Sequence, residues 1–562
     1  MSASLICPLA NGLWYLLSLR EARAFRRSCR DVAQTQRQYL LSLLRRNADT
    51  GFGRRHGFSQ IKTAAEFQQR VPLADFDDYQ PAIEQIGAGQ SSVLTSEPVL
   101  LLEPTSGSTA ASKYIPYTAS LKAEFQRAIA PWVVDLYSHY PGLLGGQAYW
   151  SVTPVVRRNE RAPGGIPIGF EDDSAYFGRL QQYLINAVLA VPPQVKLLED
   201  MAAFRYITLL FLLRSRSLRL MSVWNPTFLT LLAAPLTEWW PRLAGDIEAG
   251  TLSPPASLPS DLTVIFSALN RPAPRRAAKI RAAFQQHDNP GEIHRRLWPQ
   301  LGLISCWADA HAALQVTGLA QLFPQARLQG KGLLATEGVV SFPLVGQTGA
   351  ALAIRSHFFE FIPEGQPEAQ PALAHQLRPG QTYEVVLTTG GGLYRYRLYD
   401  LVEVTGHRDG CPLLRFMGKA GNISDRFGEK LNERHVSQIM ARLFQDHGLR
   451  PTFAMLACEE IGLERPAYLL FIEVGGPNIV PDALLAALGR ELEATLQENF
   501  HYRYCRDLQQ LDRLRVFRIS SGGLEAYLAR CQAQGQRAGA IKPVALHRLD
   551  GWLGAFQGRL LN

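Results

Sequence analysis

Lysine is scarce in this sequence: nine stand against 49 arginines in 562 residues, so arginine is the default cation and each lysine position draws notice. Paired cysteines are missing as well. Cys7, Cys29, Cys306, Cys411, Cys458, Cys505 and Cys531 form no CxxC motif and no Cys/His ligand spacing, which speaks against a zinc ribbon and leaves a reduced, cytoplasmic compartment as the expectation. No apolar run is long enough to span a bilayer. The run in "YITLLFLLRSRSLRLMSVW" stops at Arg214, and "LICPLANGLWYLLSL" has no basic leader region, so neither a transmembrane segment nor a signal peptide is expected. The N-terminal stretch could still rest on a membrane surface.

Familiar signatures are absent too. There is no Walker A loop, no G-x-S-x-G elbow and no H-E-x-x-H, and Ala110 stands where an S-x-x-K motif ending at Lys113 needs serine. No long basic run is interleaved with aromatics, so nucleic acid is not an expected partner. "RRSCR" (Arg26 to Arg30) and "RPAPRR" (Arg271 to Arg276) read as solvated helix or loop faces.

What is present describes a globular protein. Hydrophobic residues make up 47% and charged residues 19%, which excludes a disordered chain. The length suggests two to four domains at roughly 150 residues each. Net charge is +9, which favours anionic ligands. Apolar spacing from Glu21 to Arg46 predicts one amphipathic helix. The strand-like "SVLTSEPVLLLEPT" leads into "TSGSTAASKYIP", and "SLKAEFQRAIAPWVVDLYSHY" then has helical periodicity. "FFEFIP", "TYEVVLTT" and "YRYRLYDLVEVTG" read as strands. After "RFMGKAGNISD" the pattern turns to mixed helices and strands, so the chain is cut there into residues 1–417 and 418–562.

Four features carry chemistry. The loop Thr105, Ser106, Gly107, Ser108, Thr109 sets hydroxyls around a glycine with Lys113 close behind, which fits either an ordinary Ser/Gly turn or a cradle of N–H and O–H donors for a polyphosphate. Asp400, on a strand, fits a cross-strand ion pair or a ribose-binding carboxylate. Glu337 in "LLATEG" fits a solvated loop or a magnesium ligand on phosphate oxygens. Finally, Lys113, Lys419, Lys430 and Lys542 fall in three short windows, 105–113, 418–431 and 536–543, and a compact ammonium suits a transient phosphate contact. Trp132, Trp224, Trp307 and His311 read as structural residues, although "PWVVDLYSHY", "SVWNPTFL" and "SCWADAHAAL" are also candidate pocket walls for an aromatic or aliphatic acid.

Taken in order, "LLRRNADTGFGRRHGF", "VPLADFDDYQPAI", "TSGSTAASKYIPYT", "LWPQLGLISCW", "FFEFIP", "YRYRLYDLVEVTG" and "GEKLNE" resemble the Gretchen Hagen acyl-acid amido synthetase family of the adenylate-forming superfamily. The resemblance covers nearly the whole chain. It implies a mixed α/β fold: a large N-terminal domain of sheets, helices and a small barrel binding ATP and the acyl acid (1–417), and a smaller mobile C-terminal α/β domain (418–562). It implies ATP and Mg as cofactors, small-molecule carboxylic acid and amine or amino acid substrates, and a monomer or homodimer. The expected activity is ligation through an acyl-AMP to form an amide. Transfer of the same adenylate to CoA or a carrier thiol is the alternative, and a degenerate nucleotide-binding relative is a further one. By the resemblance, Thr105, Ser106, Gly107, Ser108 and Thr109 hold phosphates beside Lys113, and Thr336 and Glu337 lie near phosphates and magnesium. Asp400 binds ribose, Lys419 and Gly421 form the hinge, and Lys430 and Lys542 are catalytic lysines. The chain departs from the pattern at Leu333, where an aromatic often stacks on adenine, at Tyr399, where glycine is usual, and at Lys419, where arginine is common.

Overall fold

A computed structural model of the protein describes residues 3–104, 113–150, 160–169, 184, 187–309, 313–420, 423–424, 426–460, 465–475, 480–534, 536 and 541–561. The chain divides into two compact units. The first comprises Met1–Ala308, Val316–Leu398 and Val402–Arg415; the second comprises Asp309–Gln315, Tyr399–Leu401 and Phe416–Asn562.

In the first unit, the helical pattern expected from Glu21 to Arg46 is two helices, Ala3–Ser28 and Val32–Arg46. The break is local chemistry: the Asp31 carboxylate accepts the Gln34 N–H at 3.0 Å and caps the second helix. That helix buries Val32, Gln36, Leu40, Leu43 and Leu44 along one stripe. The buried Gln36 amide is satisfied, donating to the carbonyls of Ile354 and His357 at 2.7 Å each and accepting the Phe359 N–H at 2.8 Å.

The apolar run before Arg214 is a core helix, Met201–Arg214, capped by Asp200 and buried from Ala203 to Leu213 on nearly every side. A helix that is apolar all round needs covering on every face. Here the cover comes from Leu236, Leu243, Ile247, Phe266, Ile280 and their neighbours in one continuous core. Arg276 corrects the reading of "RPAPRR" as wholly solvated. It is buried, and its guanidinium donates to the carbonyls of Leu213 and Leu297, in the last turns of two helices, where carbonyls lack helical partners.

Beside this helix lies a parallel sheet in the order Gln147–Trp150, Leu218–Ser222, Leu303–Cys306, Arg327–Gly330. A second sheet has seven strands in the order Ala372–Leu373, Phe358–Pro363, Thr382–Thr388, Tyr396–Arg408, Cys411–Lys419, Ala350–Leu352, Ser341–Pro343.

His294, buried on helix Pro290–Leu297, bonds the Leu322 carbonyl through Nδ1 at 2.9 Å and stacks on Phe323. Burial pushes its pKa down to about 4 from the ordinary 6.5, against the smaller effect of the Leu322 carbonyl. Above pH 6.5 the ring is neutral folded and unfolded alike. As pH falls below 6.5 the unfolded chain takes up the proton first, so stability is lost down to about pH 4 and then levels off. The expected loss is roughly 3 kcal/mol. Urea denaturation at pH 7 and pH 4.5 for the native chain and His294→Gln measures it; an equal fall in both would assign the loss to other groups.

The second unit is a five-stranded mixed sheet in the order Leu546–His547, Pro451–Glu459, Ala467–Val474, Asp512–Ile519, Gly558–Leu561. Its two central strands are apolar almost without alternation because both faces are covered. Ala454, Leu456, Tyr468, Leu470 and Ile472 meet helices Glu433–Asp446 and Asp482–Leu496. Phe453, Met455, Leu469 and Phe471 meet Tyr527 of helix Gly523–Ala533 and Trp552.

All seven cysteines are buried free thiols. Among the described residues no helix is long and apolar enough to cross a membrane.

Candidate active site

The strand expected to deliver the chain to the hydroxyl-rich loop is shorter than its apolar letters suggest, Leu101–Pro104, and a second strand, Tyr114–Tyr117, follows the loop before helix Ala119–His139. The two strands pair antiparallel, Leu101 opposite Tyr117 and Pro104 opposite Tyr114. Thr105, Ser106, Gly107, Ser108 and Thr109 lie outside the described residues, as do His311 and Gly421. Lys113 is described: its Nζ lies 5.1 Å over the Phe76 ring.

Thr336 and Glu337 form the two-residue turn between Leu334–Ala335 and Gly338–Val339, paired Leu334 to Val339 and Ala335 to Gly338. Two tyrosines fix this turn. Tyr117, at the far end of the strand that follows the hydroxyl-rich loop, donates its hydroxyl to the Thr336 carbonyl at 2.5 Å. Tyr396, from the "YRYRLYD" segment, donates to Glu337 Oε1 at 3.3 Å. Three motifs far apart in the chain therefore meet at one place within the first unit. Leu333 is buried, and its N–H donates to Ser341 Oγ at 2.9 Å, so this position offers no aromatic face.

Behind the turn lies a network that sequence reasoning missed. The His357 Nε2 accepts the Val339 N–H at 3.1 Å, which leaves the ring proton on Nδ1, donated to Glu124 Oε2 at 3.0 Å. Glu124 also accepts the Tyr39 hydroxyl at 2.6 Å and the Gly390 N–H at 2.9 Å, and both Glu124 and His357 are fully buried. Gly338 permits the close approach, since a Cβ there would stand 2.6 Å from His357 Nε2. Glu124 and His357 are 233 positions apart, and each is unremarkable in its own segment, so only a pattern of buried charge could have flagged them.

In the second unit, Asp400 is buried and pairs with Lys419 Nζ at 3.4 Å. Tyr399 has φ of 57°, a left-handed conformation that glycine adopts without penalty, and this accounts for the usual glycine before the aspartate. The Tyr399 carbonyl accepts the Ala420 N–H at 2.6 Å.

Lys430 is exposed, with φ of 44°. Its loop is built around the buried Glu429, which accepts the Phe427 N–H at 2.7 Å, the Arg426 N–H at 3.1 Å and the Tyr468 hydroxyl at 2.6 Å. Burial would raise the Glu429 pKa, but these donors together hold it below the usual carboxylate range. Lys542 is exposed in an irregular segment whose carbonyl at that residue accepts the Tyr527 hydroxyl at 3.0 Å. Leu431, next to Lys430, packs in the core on one face of the five-stranded sheet, while Ile541, next to Lys542, packs on the other. The two lysine segments are thus separate features of this unit.

The arrangement is an α/β scaffold of the acyl acid amido synthetase type. The solved AtGH3.15 acyl acid amido synthetase in complex with 2,4-DB superposes with a TM-score of 0.81 at 19% identity, covering 93% of each chain. The chain belongs to the GH3 family: models described as the GH3 family N-terminal, central and C-terminal domains match residues 21–328, 350–419 and 434–548. Among curated relatives, indole-3-acetic acid-amido synthetase GH3.3 of Arabidopsis thaliana is 26% identical, with 76% of this chain and 74% of that protein covered. Indole-3-acetic acid-amido synthetase GH3.17 of the same organism is 24% identical, covering 94% and 93%. The family is thus one of amide-forming ligases, and this chain is a member of it.

Proposed function

We propose that this protein joins a small carboxylic acid to an amino acid in two half-reactions. In the first, a carboxylate oxygen attacks the α-phosphorus of ATP, the bond to the β-phosphate oxygen breaks, and pyrophosphate leaves. In the second, the amine nitrogen attacks the acyl carbon, the bond to AMP breaks, and the nitrogen loses a proton. Positioning and charge neutralisation carry most of the first step, and exclusion of water protects the adenylate in the second.

The observation that carries this reading is the pair of tyrosine hydrogen bonds, Tyr117 to Thr336 and Tyr396 to Glu337, which draws three motifs into one site. In it, Thr105, Ser106, Gly107, Ser108 and Thr109 with Lys113 would hold the β- and γ-phosphates. Asp400 would take the ribose diol beside Lys419. Glu337 is a half-exposed carboxylate on a tight turn, an oxygen donor of the kind that fits a magnesium ion. A magnesium ion held there would neutralise triphosphate charge. Lys430 and Lys542 would each serve one half-reaction as residues 418–562 move over residues 1–417. The separate packing of their segments supports such alternation.

The buried free thiols fit a reducing, cytoplasmic setting. Leu9, Leu13, Leu16 and Leu17, exposed along helix Ala3–Ser28, support peripheral membrane contact.

The test is exchange of labelled pyrophosphate into ATP over a panel of carboxylic acids, followed by mass spectrometry of products formed with amino acids or with CoA. Acid-dependent exchange and amide products are expected. Thioester without amide would favour the thiol alternative, and ATP binding without exchange on any acid would refute adenylation.

A further inference from the structure

Lys331 takes no part in the site described above. It leaves the parallel sheet at its carboxyl edge, directly after strand Arg327–Gly330. Three strand ends are tied together there. The Val223 N–H donates to the Ser305 carbonyl at 2.9 Å, the Trp307 N–H to the Trp224 carbonyl at 2.8 Å, and the Lys331 N–H to the Cys306 carbonyl at 2.9 Å. The Lys331 Nζ donates to Ser222 Oγ at 2.7 Å and lies 5.1 Å over the Trp224 ring. Trp224 and Trp307 are half-buried and pack with centroids 5.7 Å apart.

An ammonium has three protons to donate, and among the described residues the hydrogen bond of this one goes to a neutral hydroxyl, with no ion pair. The titratable group facing it is the Cys306 thiol, which burial pushes up to about 11, so it stays neutral at physiological pH. Burial lowers the Lys331 pKa to about 8. A positive charge lodged beside an indole pair, at the edge where open α/β sheets bind ligands, suits a ligand with one anionic end and an apolar body.

We propose that Lys331 receives the carboxylate of the acyl acid and that Trp224 and Trp307 line the pocket for its apolar part. This inference rests on the ligase reading. The carboxylate is preferred to a phosphate because the neighbouring surface is indole, and because a compact ammonium needs only one anionic oxygen.

The experiment compares native protein, Lys331→Met and Lys331→Arg with benzoate, phenylacetate and longer aryl acids. Binding is read by tryptophan fluorescence and turnover by pyrophosphate exchange. The methionine variant is expected to raise KM for the acid about 10- to 100-fold, with KM for ATP and thermal unfolding unchanged. In the native protein, kcat/KM for the acid should fall as pH rises through 8, where the ammonium loses its proton. Arginine should restore acid binding and move that fall to higher pH. Unchanged acid affinity in Lys331→Met, a rise in KM for ATP alone, or no acid binding by the native protein would each overturn the proposal. If acids bind and Lys331→Met abolishes the binding, yet no acid supports exchange, the site stands and the ligase reading fails.

Discussion

Lys430→Met is expected to slow acid-dependent pyrophosphate exchange by about 10²- to 10³-fold, the range seen when one preorganised donor to developing charge is removed. The side chain is exposed and its ammonium fills no core position, so thermal unfolding should be unchanged. What holds the residue is the loop behind it. Lysine at φ of 44° sits in a conformation that costs of order 1 kcal/mol or more, and the bonds from Phe427, Arg426 and Tyr468 to Glu429 impose it. Strain maintained around an exposed cation is the arrangement expected where the cation must meet a ligand. Supplying a preformed acyl adenylate with the amine separates the half-reactions: a loss confined to exchange assigns Lys430 to adenylation. An exchange rate within threefold of native would remove Lys430 from the chemistry.

Glu124→Leu should destabilise the first unit by about 3–5 kcal/mol, as loss of one partner from a buried charged network does. The substitution leaves the Tyr39 hydroxyl, the Gly390 N–H and the His357 Nδ1–H without their acceptor; Gly390 and His357 are buried and Tyr39 is half-buried. Each orphaned donor costs about 1–3 kcal/mol. Glu124→Gln keeps the shape but turns one acceptor into a donor, so it should cost roughly half as much. The effect should travel through His357 to the Thr336–Glu337 turn, because His357 Nε2 holds the Val339 N–H. Hydrogen exchange reads this directly: protection at Val339 should fall more in Glu124→Leu than protection in the second unit. Uniform change across both units, or a loss under about 1 kcal/mol, would show that the network does not brace the turn.

The residues of the candidate site are legible in the sequence to different degrees. The loop at Thr105, the Thr336–Glu337 pair, Asp400 and Lys430 stood out because each lies in a short segment of characteristic order. The segments "AYLLFIEV" and "DALLAALGRELEATLQ" showed their strand and helix periods plainly and fold as Ala467–Val474 and Asp482–Leu496. Tyr399 departs from the family motif, and only its left-handed backbone gives the physical reason that glycine is usual there. The break at Asp31 was missed because apolar spacing continues across it, and a single capping carboxylate decides where one helix stops and another begins. The strand Tyr114–Tyr117 was missed because its partner lies across the loop, and a short strand is defined by pairing more than by composition.

By itself, then, the order of residues determined the family, through its ordered motif blocks, and the mixed α/β class, through apolar periods that each segment carries locally. Tertiary structure alone decided that Tyr117 and Tyr396 meet the Thr336–Glu337 turn, that Glu124 and His357 brace it, and that Lys331 lies against Ser222 and Trp224. Contacts between residues tens to hundreds of positions apart leave no local period. They exist only once strands are paired and water is excluded, when each buried donor must find an acceptor.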